Sequence, residues 1–377
     1  MHWYVTYNEP PNGLYESQVV EVTNFIEGDI GMPVQLIAFV SIRGFAATRK
    51  QVKALSPDAI VLPCAPGFLF IRWHFLFLIP YLLLSRPRKV VCRGSFATLI
   101  ASPLRKLMRF KLTMDARALM YEEEVAYGIF PPRISGDIRQ IEIDSLRTAD
   151  QVTAVTAEMY DYWEAEFKLD FHDSKLVIPC TVTDKLLREV DSAKVEAFKR
   201  ELGYSDTDIV LIYSGSTAAW QSLDRLTDWL RKMMQQQPEL KALFLSKPEA
   251  NIQALMEEFP DRVQNRFVKH AEVPIYLSCA DYGLMLRTYS RANSVGSPIK
   301  TAEYLLAGLG VITNRNMAVY RLIESERVGL VVNDFDLLGE PIPKPSRDVR
   351  LANREKGELH FSKHSKEIRA KYAELYA

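Results

Sequence analysis

Short, nearly continuous apolar runs recur along this chain, separated by longer amphipathic stretches, and that alternation leaves few architectures open. A strand that is apolar throughout has no face to offer water, so both of its faces must be covered. Strands covered on both faces by intervening helices form parallel sheets. In the first half the runs are 1–7, 34–40, 59–63, 89–92, 111–114, 151–155 and 175–179, with helical patterns at 17–27 and 95–106. In the second half they are 209–213, 242–245, 282–286 and 310–313, with helical patterns at 223–234, 252–258, 300–307 and 362–376. A length of 377 residues suggests two or three domains. The pattern therefore predicts an α/β protein of two doubly wound halves joined by a linker near 179–184. Ligands of such sheets bind beyond the carboxyl ends of the strands, and the cleft between two facing halves is the default site.

Composition narrows the function classes. Hydrophobic residues make up 48% and charged residues 25%, the balance of an ordinary globular chain rather than a disordered, collagenous or coiled-coil one. Lys plus Arg equals Asp plus Glu at 47 each, which removes the global electrostatic case for nucleic acid as a partner. The oligomeric state stays open. Cys64, Cys92, Cys180 and Cys279 are far apart, lack metal-ligand spacing and sit in or beside apolar runs, so they read as buried free thiols of a reducing compartment. The N-terminus has no basic segment followed by an apolar core, so the expected location is cytoplasmic. His74, His172 and His270 are isolated, and neither a metal site nor a catalytic dyad is expected.

The stretch 67–85, GFLFIRWHFLFLIPYLLLS, approaches membrane-spanning length and is followed by Arg86, Arg88 and Lys89. Arg72, His74 and Pro80 argue against a span. A buried core helix and an interfacial helix, with its basic cluster on anionic lipid of the inner membrane face, both remain open.

The segment 287–314, RTYSRANSVGSPIKTAEYLLAGLGVITN, carries the most chemistry. Its Gly/Ser/Pro loop runs through Ser297, Pro298 and Ile299 into a helix start, where free backbone N–H groups and the helix dipole favour phosphate. Lys300 falls in the first turn, where it can neutralise a diphosphate. Glu303, three residues on, has the chemistry to accept two ribose hydroxyls. The alternative is a plain loop–helix–strand unit with Lys300 and Glu303 as a surface ion pair.

The run Ser297-Pro298-x-Lys300-x-x-Glu303-Tyr304-Leu305-x-x-Gly308-x-Gly310-Val311-Ile312 resembles the nucleotide-sugar site of bacterial GT-B glycosyltransferases of the family 4 type, enzymes of polysaccharide, capsule and O-antigen assembly. The likeness covers nearly the whole chain and is strongest over 209–314. It implies a GT-B architecture: two facing Rossmann-like domains, 1–182 on the acceptor side and 183–348 binding the donor, with 349–377 packing back on the first. It also implies that Glu303 holds the donor ribose and that the preceding loop holds the diphosphate. Gly215 and Ser216 match the first loop of the donor domain. The segment around His270 and Val273 matches the one whose backbone borders the nucleobase. Two departures stand out. The position eight before Glu303, a second glutamate in many members, is Val295. The loop that often carries Arg and Lys holds Ser216, Thr217 and Gln221 instead. Diphosphate binding then falls to Arg287 and Lys300, with Arg291 as a further candidate.

In the first half, the stretch around Gly13 resembles the family's first glycine loop; the alternative is an ordinary turn capped by Asn12 or Ser17. The 114–124 stretch resembles a DxRxxxxEE variant, in which Asp115 or Arg117 touches acceptor or transferred sugar; the alternative is a buried pair that fixes the loop. Arg93 either binds an anionic acceptor group or caps a carbonyl. Glu122, Glu123 and Glu124 read as a solvated helix start. The resemblance implies a metal-independent transferase with no cofactor beyond its nucleotide-diphosphate sugar. Such an enzyme moves sugar to a glycan or lipid-linked glycan with retention, as a peripheral protein of the inner membrane. Arg287 and Lys300 would stabilise the leaving diphosphate. A nucleotide-sugar epimerase or hydrolase of the same fold, and a non-catalytic glycan-binding relative, are the alternatives.

Overall fold

The seven apolar runs of the first half pair side by side. In the structure, a computed structural model that describes residues 1–65, 71–171, 175–182 and 190–377 with the side chains of Arg72 and His270 excepted, they form β1 (His2–Tyr7), β2 (Val34–Ser41), β3 (Ile60–Cys64), β4 (Lys89–Arg93), β5 (Lys111–Asp115), β6 (Gln151–Ala154) and β7 (Lys175–Val177). Their order is β3-β2-β1-β4-β5-β6-β7, and every neighbouring pair is parallel. Side chains of β1 alternate between two cores. Tyr4 packs with Phe25, Ile26 and Tyr372 on one face. Trp3, Val5 and Tyr7 pack with Leu82, Ala97 and Ile100 on the other. Val5, Ile37 and Phe39 are fully buried; each such side chain contributes roughly 1.5–3 kcal/mol.

A second parallel sheet holds β8 (Ile209–Ser214), β9 (Leu240–Leu245), β10 (Val263–Arg266), β11 (Tyr282–Met285), β12 (Gly310–Asn314) and β13 (Gly329–Val332), in the order β10-β9-β8-β11-β12-β13. It too has an apolar core on each face. The two edge strands are absent from the sequence expectation. β10 reads VQNR, and an edge strand needs fewer apolar residues because one side is unpaired. β13 is four residues long and opens on Gly329, where a Cβ would lie 2.0 Å from the Val311 carbonyl oxygen.

The chain divides into two units: Met1–Pro179 with Lys366–Ala377, and Cys180–Ser365. The expected boundaries at 182/183 and 348/349 differ from this division. The helix expected over 362–376 forms over Lys366–Tyr376, and the expected returning segment 349–377 is divided between two helices. Arg347–Phe361 stays in the second unit, with Gly357 pressed onto Leu305 and Leu306 of the helix Ile299–Leu306. Only Lys366–Tyr376 returns to the first unit, where Ile368, Tyr372, Leu375 and Tyr376 join the core beneath Tyr4. Part of the expected linker lies outside the described residues, as does His172.

The described part of the apolar stretch is a 3-10 turn, Ile71–Leu78, running into a helix, Ile79–Ser85. His74, Leu78 and Leu82 face the core, whereas Trp73, Leu76, Phe77, Leu83 and Leu84 are exposed. It is therefore core on one side and open on the other. Among the described residues no helix is long and apolar enough to cross a membrane. All four cysteines are free thiols; Cys64, Cys92 and Cys279 are buried and Cys180 is partly so.

In each sheet the order reverses beside the first strand, between β1 and β4 and between β8 and β11. The carboxyl ends of these strands are the topological switch points where α/β sheets bind ligands.

Candidate functional site

At the switch point of the second unit, two glycines let one helix come down onto the strand ends. The helix Ile299–Leu306 begins at Pro298, which has no side chain able to cap it. Its Tyr304 ring lies on Gly283 of β11, where an added Cβ would sit 2.0 Å from the ring. The Tyr304 hydroxyl accepts the Ser214 N–H at 3.0 Å, at the end of β8. Lys300 stands one turn earlier on the same helix face. It lies across Gly215, where a Cβ would be 2.3 Å from Lys300 Cε. Gly215 also has φ +149°, a conformation that disfavours other residues.

Lys300 Nζ donates to the Tyr213 hydroxyl and to Gln221 Oε1, both at 2.9 Å, and lies 4.0 Å from the Tyr213 ring centroid. Arg287, just past β11, donates from Nη2 to the same Gln221 oxygen at 3.1 Å and from Nη1 to Asn293 Oδ1 at 3.3 Å. One neutral amide thus holds both basic side chains. Burial, and then the nearby Arg287, lower the Lys300 pKa well below the usual lysine value, with Glu303 pulling the other way. Burial pushes the Glu303 carboxyl up to about 7 against the pull of Lys300. Lys300 and Glu303 are each only 8% exposed, and no ion pair joins them among the described residues. The surface-pair alternative does not fit. The Glu303 side chain makes no hydrogen bond among the described residues.

The remaining expected donor residues are less uniform. Ser297 Oγ accepts the Cys180 N–H at 3.4 Å, and Pro298 and Ile299 are partly buried at the helix start. Ser216 is exposed, and its carbonyl accepts from the Tyr213 hydroxyl at 2.6 Å. Val273 puts its side chain into the core rather than beside Lys300, and the His270 side chain lies outside the described residues. Arg291 is exposed, and Val295 is packed inside. The sequence marks Gln221 only as a missing cation; its role as the shared acceptor, and those of Tyr213 and Asn293, emerge only from the fold.

At the switch point of the first unit, Asp115 ends β5 and is 3% exposed. Its Oδ2 accepts from the Tyr4 hydroxyl at 2.6 Å and from Arg117 Nε and Nη2 at 3.1 and 3.0 Å. Its Oδ1 accepts from Thr153 Oγ1 at 2.9 Å. Burial alone would raise its pKa, but Arg117, Arg93 and these hydrogen bonds hold it below the usual carboxylate range. Arg93 Nε donates to Glu9 at 2.9 Å, and Nη1 lies 3.9 Å from Asp115. Arg93 is thus tied to carboxylates. Gly13 opens a short helical turn whose Leu14 and Tyr15 N–H groups are capped by Asn12 Oδ1, as the plain turn reading has it.

Of these groups Glu9, Arg93 and Arg117 border a cavity of about 320 Å3. Glu123 lines it too. Glu122 accepts from the Tyr162 hydroxyl, and Glu124 from the Phe130 N–H and Ser135 Oγ, but the Glu123 carboxyl makes no hydrogen bond or ion pair among the described residues. Burial pushes it up to about 7. The three glutamates are therefore not a uniformly solvated helix start.

No family profile and no curated protein sequence matches the chain. Solved structures do. Sucrose-phosphate synthase from Thermosynechococcus elongatus aligns at TM-score 0.72 and 15% identity, over 100% of this chain and 98% of its own. The lipopolysaccharide outer core galactosyltransferase WaaB aligns at 0.69 and 14%, over 100% and 99%. Anabaena HepE in complex with UDP-glucose aligns at 0.66 and 12%, over 100% and 99%. At such identities the likeness concerns the fold. Two Rossmann-like parallel α/β units matched over their full length give this chain the fold of GT-B glycosyltransferases.

Proposed function

We propose that the protein transfers a sugar from a nucleotide-diphosphate sugar to a glycan or lipid-linked glycan acceptor. The observation that carries this reading is the group at the second switch point: Lys300 and Arg287 on one Gln221 oxygen, beside an uncapped helix start and the unbonded carboxyl of Glu303. Displacement at the anomeric carbon requires stabilising the charge that builds on the leaving diphosphate. Lys300, Arg287 and the first N–H groups of the helix Ile299–Leu306 can supply that stabilisation without a metal. A diphosphate there would also offset the burial and the Arg287 charge that lower the Lys300 pKa. Glu303 would accept the two ribose hydroxyls, and Gly215 keeps Lys300 in place. The complexes of HepE with UDP and UDP-glucose support the donor class. Retention of configuration rests on the family resemblance.

In the first unit, Arg117 and Arg93 would meet the acceptor or transferred sugar, with Asp115 as the positioning residue that orients them, because its own oxygens are already bonded. Exposed Trp73, Leu76, Phe77, Leu83 and Leu84, followed by exposed Arg86 and Arg88, support docking to an anionic membrane surface. Sedimentation with phosphatidylglycerol vesicles but not phosphatidylcholine vesicles is the expected behaviour; equal recovery with both would remove the anionic-lipid reading.

Calorimetric titration with UDP, GDP, ADP and CMP, without metal, tests the donor site. One nucleotide should bind saturably to the wild type and at least roughly tenfold more weakly to Glu303→Ala. If none binds in the millimolar range, the donor site is wrongly assigned.

A further inference from the structure

The cavity in the first unit has a charge balance that its two arginines conceal. Arg93 and Arg117 are the positive groups at its wall, and each is already tied to a carboxylate: Arg93 to Glu9, and Arg117 to Asp115. Among the described residues the formal charges of those pairs balance, Arg93 Nη1 keeping a buried N–H without a hydrogen-bond partner, and Glu123 adds a negative charge when ionised. An anionic ligand would therefore meet a neutral or negative site, where like charges repel. Three aromatic rings also line the cavity. Tyr7 and Phe96 lie 5.7 Å apart and Phe96 and Phe130 5.8 Å apart, and all three line the space. Aromatic rings together with a few polar groups, lining a space of about 320 Å3, suit a small hydroxylated ring.

We propose that this cavity takes a neutral sugar ring, stacked on the aromatic rings, and that Glu123 is the specificity-determining residue: it accepts a hydrogen bond from a ring hydroxyl and excludes anionic sugars. Serving as acceptor selection, this rests on the transferase reading; as a binding site it stands alone. It departs from the expectation that Arg93 binds an anionic acceptor group. The other charged groups lining the cavity are Glu9, Arg93 and Arg117, with Asp115 beside both arginines, and Glu142 of the helix Ile138–Thr148 interacts electrostatically with Glu123. Glu142 is fully buried, and its carboxyl accepts the Tyr121 N–H and the Trp163 indole N–H. Like Glu123, Glu142 is pushed up to about 7, so it serves as the control.

The test is saturation-transfer NMR on the full chain with methyl β-glucopyranoside and its C6 carboxylate, the methyl glucuronide, at pH about 6 and about 8.5. The neutral glycoside should bind in the millimolar range and be preferred by roughly tenfold at the higher pH, with the preference shrinking at the lower. Glu123→Gln should remove that pH dependence, whereas Glu142→Gln should keep it. Equal or tighter binding of the glucuronide at the higher pH would overturn the proposal, as would an unchanged pH dependence in Glu123→Gln. A protein that binds UDP but neither glycoside refutes the cavity and spares the donor site. One that binds the glycoside but no nucleotide does the reverse.

Discussion

Replacing Lys300 by Met should separate stability from binding. The Lys300 amine is buried, and its pKa is held well below the usual lysine value by burial and by Arg287. Burying an ammonium costs several kcal/mol even after relaxation. Against that stand two hydrogen bonds, to Tyr213 and Gln221, each worth about 1.5–3 kcal/mol if charged. Neither partner is orphaned in the variant, because the Tyr213 hydroxyl still donates to the Ser216 carbonyl and Gln221 Oε1 still accepts from Arg287. A methionine of similar length fills the space beside the Tyr213 ring. The opposing terms nearly cancel, so Lys300→Met should leave the ligand-free protein within about 1 kcal/mol of wild type, or stabilise it. The pH dependence has a definite sign. With the folded pKa lowered, the unfolded chain binds the extra proton between the folded value and 10.5. Wild-type stability therefore gains from this group as pH rises through that window, and the variant lacks the gain. Nucleotide affinity should fall by roughly 10–150-fold, the equivalent of one charge-assisted bond of about 1.5–3 kcal/mol. Thermal melts across pH, paired with calorimetry, read both quantities. A loss of several kcal/mol in stability with unchanged affinity would instead make Lys300 a structural residue.

Gly215→Ala should act through Lys300: a Cβ 2.3 Å from Lys300 Cε displaces the flexible amine, so affinity should fall about as far as in Lys300→Met, with a stability loss of roughly 1–2 kcal/mol from the backbone at φ +149°. Glu303→Gln should flatten part of the pH dependence of stability: with the folded carboxyl at about 7 against 4.5, wild type loses stability as pH rises through that interval, on the order of 3 kcal/mol, and the variant should not, as melts at several pH values would read. Asp115→Asn should destabilise the first unit by roughly 3–5 kcal/mol, because it leaves Arg117 and Arg93 beside a neutral group in a buried network, while nucleotide binding in the second unit should persist in calorimetry.

Strand positions were largely legible because apolar periodicity survives in single sequences: the runs at 34–40 and 209–213 became β2 and β8 almost unchanged. β10 and β13 were not, because an edge strand can be short and polar. The C-terminal helix at 362–376 was legible as helix, but its break before Lys366 was not, because both flanking segments are charged and helical. At the site, the spacing of Lys300 and Glu303 was visible as a motif. That Tyr304 seats on Gly283, and so carries Lys300 onto Gly215, is a close approach between residues some 20 to 90 positions apart, with no local signature. Glu123 was hidden for a related reason. Three adjacent glutamates look alike until Tyr162, Phe130 and Ser135 engage two of them.

Donor cleavage is tested most directly by release of nucleoside diphosphate from a panel of nucleotide-diphosphate sugars, with water or a simple glycoside as acceptor, for the wild type, Lys300→Met and Glu303→Ala. Slow turnover is expected of donors carrying one nucleotide, with nucleoside diphosphate and free or transferred sugar as products, and roughly tenfold or greater loss in both variants. A donor that binds but is never cleaved, or that returns only as its epimer with the sugar still joined to the diphosphate, would contradict transfer.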